Sequence, residues 1–245
     1  MWSSDSAYDS FMGRFSRRLA PLFADFAGVS ADDHVLDVGA GTGALTEELL
    51  RRGATVSIAE PSPDFAASLQ RRLPDLDVRA SPAEQLPWPD GTFDVALAQL
   101  VVAFMSDAWM GVAEMMRVSG GRVAVCMWDY EGQELLASVN HVRARMGEPP
   151  GEPPRWRTGP ELAELLGEGS EVEPLDVVAD YEDFEDFWSA LLGGAGPHGA
   201  WATSLEGERR ETARTELLRE LGNPSGPFTL SGRAWASRVR FSNRG

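Results

Sequence analysis

One stretch constrains this chain more than any other: Val35-Leu36-Asp37-Val38-Gly39-Ala40-Gly41-Thr42-Gly43. Val35, Leu36 and Val38 predict a short buried strand. Three glycines at alternate positions then turn the chain into a helix predicted over 44–52. Without a Cβ, such a loop lets backbone amides approach a ligand closely. Several nucleotide-binding folds share loops of this kind. Asp37, two residues before the first glycine, narrows the choice, and a second acid, Glu60, ends the next predicted strand, 54–60. A pyrophosphate beside Asp37 would be repelled. A ligand with cationic groups and a free ribose would be attracted, Glu60 accepting from the ribose hydroxyls as an acid does at this place in dinucleotide folds.

Downstream, the pattern alternates strand and helix, which predicts an α/β fold. Phe65, Leu69 and Leu73 share one helix face, and Pro61-Ser62 makes the turn before it. Strands are expected at 77–80, 93–100 and 122–128, with 119–121 as a turn. A helix capped by Ser106 or Asp107 runs to about Arg117. Beyond 129 the pattern predicts helices at 131–146, around Leu162–Leu166, at 183–192 and at 206–221, and strands at 172–178 and 228–239. The segment 147–154 is proline-rich and cannot continue a helix. Upstream, Phe11, Phe15, Leu19, Leu22 and Phe26 recur at helical spacing, with Pro21 expected to split the segment into two helices. This organisation reads as one domain over 1–245: a helical flap at 1–28, a core at 29–130, and cap insertions at 131–154 and 183–221.

Composition excludes several classes. The net charge of −16 argues against nucleic acid, which needs a basic face. All 22 positive side chains are Arg. The single cysteine, Cys126, rules out an internal disulfide framework and lies in an apolar run, as a core residue would. No apolar run approaches the ~20 residues of a membrane span. The amino terminus lacks the basic and apolar regions of a signal peptide, so a cytoplasmic protein is expected.

The glycine loop and its flanking acids resemble class I S-adenosylmethionine-dependent methyltransferases, and within them the small-molecule group related to the ubiquinone/menaquinone methyltransferases. Tyr8-Asp9-Ser10-Phe11-Met12-Gly13-Arg14 resembles an N-terminal segment common in that group. The run Ser81-Pro82-Ala83-Glu84-Gln85-Leu86-Pro87-Trp88 resembles its third motif. The resemblance implies a Rossmann-like, seven-stranded, mostly parallel sheet with helices on both faces and a helical cap. It implies S-adenosylmethionine as cofactor and a small-molecule methyl acceptor as partner. Cofactor contacts then fall on Asp37, Gly39, Ala40, Gly41, Glu60, Pro61, Ala83 and Gln99. Tyr8 and Arg14 would face the cofactor too, Arg14 pairing with the methionine carboxylate. Pro82 replaces the aspartate that usually receives the adenine amino group, which leaves adenine to backbone groups near Ala83 and to apolar stacking.

Methyl transfer from a sulfonium is an in-line displacement, so the protein mainly aligns the nucleophile and excludes water. A base is needed only where the acceptor carries a proton to be lost. Of the three histidines, His34 precedes the first strand, His141 has charged neighbours, and His198 lies in a glycine-rich loop at 193–201. His198 is the candidate base; three scattered histidines make no metal site. Trp128, Tyr130 and Trp201 are candidate acceptor contacts, with Phe104 and Trp188 completing an aromatic wall. Two rival readings stay open. A nicotinamide dehydrogenase would also satisfy the loose glycine fingerprint, with Asp37 against it. A non-catalytic cofactor-binding module would fit the altered loop at Pro82.

Overall fold

The structure is a computed structural model that describes residues 9–148, 155–194 and 196–241. Tyr8 and the proline-rich 149–154 lie outside these residues. In chain order the elements are α1 (Gly13–Ala27), β1 (His34–Val38), α2 (Ala44–Arg51), β2 (Thr55–Ala59), α3 (Pro63–Arg72), β3 (Asp77–Arg79) and β4 (Phe93–Gln99). They continue with α4 (Ala108–Val118), β5 (Ser119–Trp128), α5 (Glu134–Arg145), α6 (Gly159–Leu166), β6 (Glu171–Tyr181), α7 (Phe184–Leu192), α8 (Gly196–Ser204), α9 (Gly207–Glu220) and β7 (Phe228–Arg240). Among the described residues no helix is long and apolar enough to cross a membrane.

Seven strands form one sheet in the order β3-β2-β1-β4-β5-β7-β6. The first five pair in parallel, and β7 runs antiparallel to β5, with Met127 opposite Trp235. This is the expected Rossmann-like architecture. β1 holds a central place between β2 and β4, and its residues 35–38 are all buried. The apolar run of β4 answers to the same position: a strand covered on both faces has no solvent side on which to alternate.

The chain divides into two compact units. The larger takes Leu19–Asp129, Pro154–Leu175 and Ala234–Gly245. Its core joins Leu36, Val38, Ala96, Ala98, Val123 and Val125 of the sheet to Val112 and Met115 of α4 and Leu162 and Leu165 of α6. The smaller takes Met1–Arg18, Tyr130–Pro153 and Asp176–Arg233. There Tyr181 stacks on Phe228 at 5.2 Å and meets Phe187 edge-on at 5.5 Å.

Three local expectations are corrected. Pro21 does not split the first helix: α1 is continuous from Gly13 to Ala27. A mid-helix proline costs about 3 kcal/mol. Burial of Phe15, Leu19, Phe23 and Phe26 on the same helix offsets it, since each such side chain contributes roughly 1.5–3 kcal/mol. Ser119-Gly120-Gly121 is not a turn but the start of β5, where the register with β4 slips between Phe93 and Val95. The predicted loop holding His198 is largely the helix α8, with His198, Gly199, Trp201 and Ala202 buried.

The glycines that suggested a flexible loop serve packing in α8. A Cβ built on Gly199 would lie 2.6 Å from the carbonyl carbon of Gly194. Gly199→Ala should therefore lower stability by about 1–3 kcal/mol, the usual cost of overpacking. Urea denaturation checks it; an unshifted midpoint would restore the flexible-loop reading.

Candidate cofactor-binding site

The site is built where β1 runs into α2. Asp37 stands opposite Ile58 of β2 and Leu97 of β4, in the middle of the sheet, and is 1 % exposed. Gly43, the residue that starts α2, has no side chain to cap the helix. Asp37 supplies the missing acceptor. Its Oδ2 takes a hydrogen bond from Thr46 Oγ1 at 2.6 Å, and its carboxylate also accepts from the Thr46 backbone N–H. That N–H is one of the donors a helix leaves unpaired in its first turn. Burial pushes the Asp37 proton affinity up to about 7, the two Thr46 bonds pull it back, and the Glu60 charge adds to the rise.

The loop glycines have different reasons to be glycine. All three have positive φ: 74° at Gly39, 55° at Gly41 and 90° at Gly43. A Cβ on Gly39 would strike Val101 at 2.9 Å, and one on Gly43 would strike Leu69 at 2.9 Å. Around Gly41 nothing lies within 4 Å of such a Cβ. The first and third glycines are therefore packing requirements, and Gly41 is the one that faces open space.

Glu60 follows β2 directly and is buried. Its Oε2 accepts from the Gly41 N–H at 2.8 Å and its Oε1 from the Ser62 N–H at 2.9 Å. Burial raises its proton affinity, and those two bonds lower it. A carboxylate offers about four lone-pair positions, so Glu60 keeps capacity for further donors. Ala40 is half-buried and Pro61 exposed beside these two acids.

At the end of β4, Gln99 is half-buried, and the next residue, Leu100, adopts φ 65°. A left-handed leucine is strained by roughly 1–2 kcal/mol. Here it is held by its N–H bond to Cys126 O at 2.9 Å. Such strain clusters at ligand sites, and no sequence signal marks it. In the loop after β3, Ala83 is buried and Pro82 exposed. Glu84 accepts from Asp107 N at 2.9 Å, an anchoring role. Arg117 ties the same loop to α4 through Leu86 O and Trp88 O.

In the smaller unit, Arg14 is largely committed. It pairs twice with Asp186, at 2.8 and 2.5 Å, donates to Ser10 O and Asp180 O, and lies over the Tyr181 ring at 4.8 Å. His198 Nε2 is 3.0 Å from Asn140 Oδ1, and Tyr130 lies 6.3 Å from its ring. Burial lowers the His198 proton affinity to about 4, with Arg143 adding to the effect. Trp201 donates to Glu148 at 2.9 Å and stacks under Arg143. The unit thus brings Tyr130, His198 and Trp201 into one neighbourhood. Trp128 ends β5 in the larger unit and is buried opposite Ala234. The other histidines are structural: His34 is 3.2 Å from Ser57 Oγ and packs on Phe93, while His141 meets Glu220.

An open parallel sheet with an acid-flanked glycine loop at the carboxyl ends of its strands is the place where open α/β folds bind ligands. Comparison with known proteins shows what this domain is similar to. The methyltransferase-domain family profile matches residues 36–125. A demethylmenaquinone methyltransferase of Beutenbergia cavernae is 37% identical over 103 residues, 41% of this chain and 43% of that protein. An uncharacterised protein of Mycobacterium tuberculosis is 28% identical over 159 residues, 62% of this chain and 58% of that protein. The chain thus spans well under two thirds of the curated relatives it matches. A crystal structure of a putative methyltransferase from an antibiotic biosynthesis pathway of Anabaena variabilis shares the fold with TM-score 0.60 and 17% identity, covering 89% of this chain and 96% of that one. Residues 36–125 are thus similar to a methyltransferase domain, and the fold is one that methyltransferase structures share.

Two outcomes follow from the geometry. Gly41→Val should abolish binding of S-adenosylhomocysteine in isothermal titration while the protein stays folded by circular dichroism, the left-handed strain costing about 1–2 kcal/mol. Full affinity in that variant would remove Gly41 from the site. Asp37 ionises at about 7 folded, against 3.8 for the free side chain. The folded state therefore holds an extra proton between those values, and stability falls as pH rises through them. Asp37→Asn removes this loss, so its Tm should gain on wild type by at least about 3 °C between pH ~5 and pH ~8. A pH-independent difference in thermal melts would contradict the buried carboxylate.

Proposed function

We propose that this chain binds S-adenosylmethionine at the Gly39–Gly43 loop and transfers its methyl group to a small-molecule acceptor by in-line displacement. The observation that carries the reading is the pair of buried acids, Asp37 and Glu60, flanking the one glycine that faces open space. The residues present fit that cofactor. Glu60 has capacity for two ribose hydroxyls, the Gly41 backbone is approachable, and Asp37 favours the cation of the amino-acid end. Gln99 at the end of β4 is assigned to that same end, with Ala40 and Pro61 along the nucleoside and the backbone near Ala83 at the base. The bound cofactor supplies the electrophilic methyl. The residues of this chain hold it, orient it and exclude water.

Trp128, Tyr130 and Trp201 are assigned as acceptor contacts. The relative named for demethylmenaquinone methylation supports a flat, apolar acceptor, which aromatic side chains suit. His198, neutral at physiological pH and oriented by Asn140, is assigned as the base for acceptors that must lose a proton.

A broad acceptor screen tests this reading by following release of S-adenosylhomocysteine, with isothermal titration of S-adenosylhomocysteine and NAD alongside. Turnover with at least one small aromatic acceptor is expected, together with binding of S-adenosylhomocysteine and none of NAD. In that reaction His198→Ala should lower kcat by about 100-fold or more without changing cofactor affinity. Binding without turnover across the screen would instead make the protein a cofactor-binding module, and binding of NAD alone would point to an oxidoreductase.

A further inference from the structure

Thr46 is fully buried on the first turn of α2. A buried hydroxyl is costly unless bonded, and valine would fill the same volume without that cost. Threonine inside a helix usually returns its hydroxyl to the carbonyl four residues back. Thr46 instead aims Oγ1 at Asp37 Oδ2, 2.6 Å away. Capping does not require it, because the Thr46 backbone N–H already bonds the Asp37 carboxylate. The hydroxyl is a second donor to one carboxylate, and a short one, as bonds to ionised acceptors are.

The surroundings of Asp37 give that donor its importance. Its strand neighbours, Ile58 and Leu97, are apolar. Among the described residues, the charge acting on Asp37 is that of Glu60, a second anion. Burial and Glu60 both favour the protonated acid. The groups acting against them are the hydroxyl and amide of Thr46. A protonated Asp37 is neutral and gives a cationic ligand no attraction.

We propose that Thr46 is a positioning residue whose hydroxyl fixes the Asp37 carboxylate and sets the pH range in which the site captures its cationic cofactor. This rests on the reading above that Asp37 faces the charged end of S-adenosylmethionine. Thr46 touches no reacting atom; it acts through Asp37. Loss of the hydroxyl removes a bond that is stronger to the ionised form than to the protonated one. The carboxylate must then ionise at higher pH, and affinity for the ligand's amino-acid ammonium at neutral pH must fall below wild type, the difference closing at alkaline pH where Asp37 is ionised in both.

The test compares wild type, Thr46→Val and Thr46→Ser. S-adenosylhomocysteine is titrated calorimetrically across about pH 6 to 9, and the Asp37 carboxyl carbon is followed by NMR in the ligand-free protein. In Thr46→Val, affinity at pH ~7 should be about tenfold weaker, the fall in affinity should move up by about one pH unit, and the carboxyl midpoint should rise with it. Thr46→Ser should restore both. Thr46→Ala serves in its place should the valine variant not fold. A uniform loss of affinity at every pH with an unmoved carboxyl midpoint would overturn the inference and leave Thr46 a packing residue. Wild type that fails to bind S-adenosylhomocysteine at any pH would sink the cofactor reading instead, and the carboxyl midpoints would still decide the role of Thr46.

Discussion

The structure depends on one carboxylate placed where water is absent. Asp37 lies in the middle strand of the parallel half of the sheet, between apolar neighbours, and closes the amino end of α2. An ionised acid there would be expensive without compensation. The compensation comes from one residue of the helix it caps, Thr46, through hydroxyl and amide together. Strand, loop and helix are thereby held in one arrangement, with the loop backbone left open at Gly41.

The same arrangement explains which chemistry suits this edge of the sheet. The Glu60 charge adds to the cost of ionising Asp37, so a further negative group beside them is disfavoured. A cation relieves the repulsion. The smaller unit contributes differently: its polar groups are mostly spoken for, as the pairing of Arg14 with Asp186 shows.

Much of this was legible in the amino-acid order. β1, the glycine loop, β2 and β4 announce themselves because central parallel strands read as apolar runs and the turn as glycines. Asp37 and Glu60 were legible because acids at those places are chemically conspicuous. Three things were not. Pro21 looks like a helix breaker because local propensity cannot see the buried phenylalanines that outweigh it. α8 looks like a loop because Gly199 is small for reasons of packing, and a sequence does not say why a residue is small. Thr46 gives no sign at all: nine residues from Asp37, its role exists only once the loop has folded back. The strain at Leu100 is hidden for the same reason, being a property of the backbone and not of the residue type.

The double engagement of Glu60 has a thermodynamic corollary. Each of its oxygens already holds one amide, from Gly41 and from Ser62, and keeps one lone pair for a further donor. On the proposed reading, a ribose would add to, or trade against, bonds that exist beforehand, and the enthalpy gained by docking it would be correspondingly small. Discrimination at this point comes from shape: a pre-set carboxylate fits a vicinal diol and gains little from anything else. A loop held ready in this way also spends little entropy on receiving a ligand.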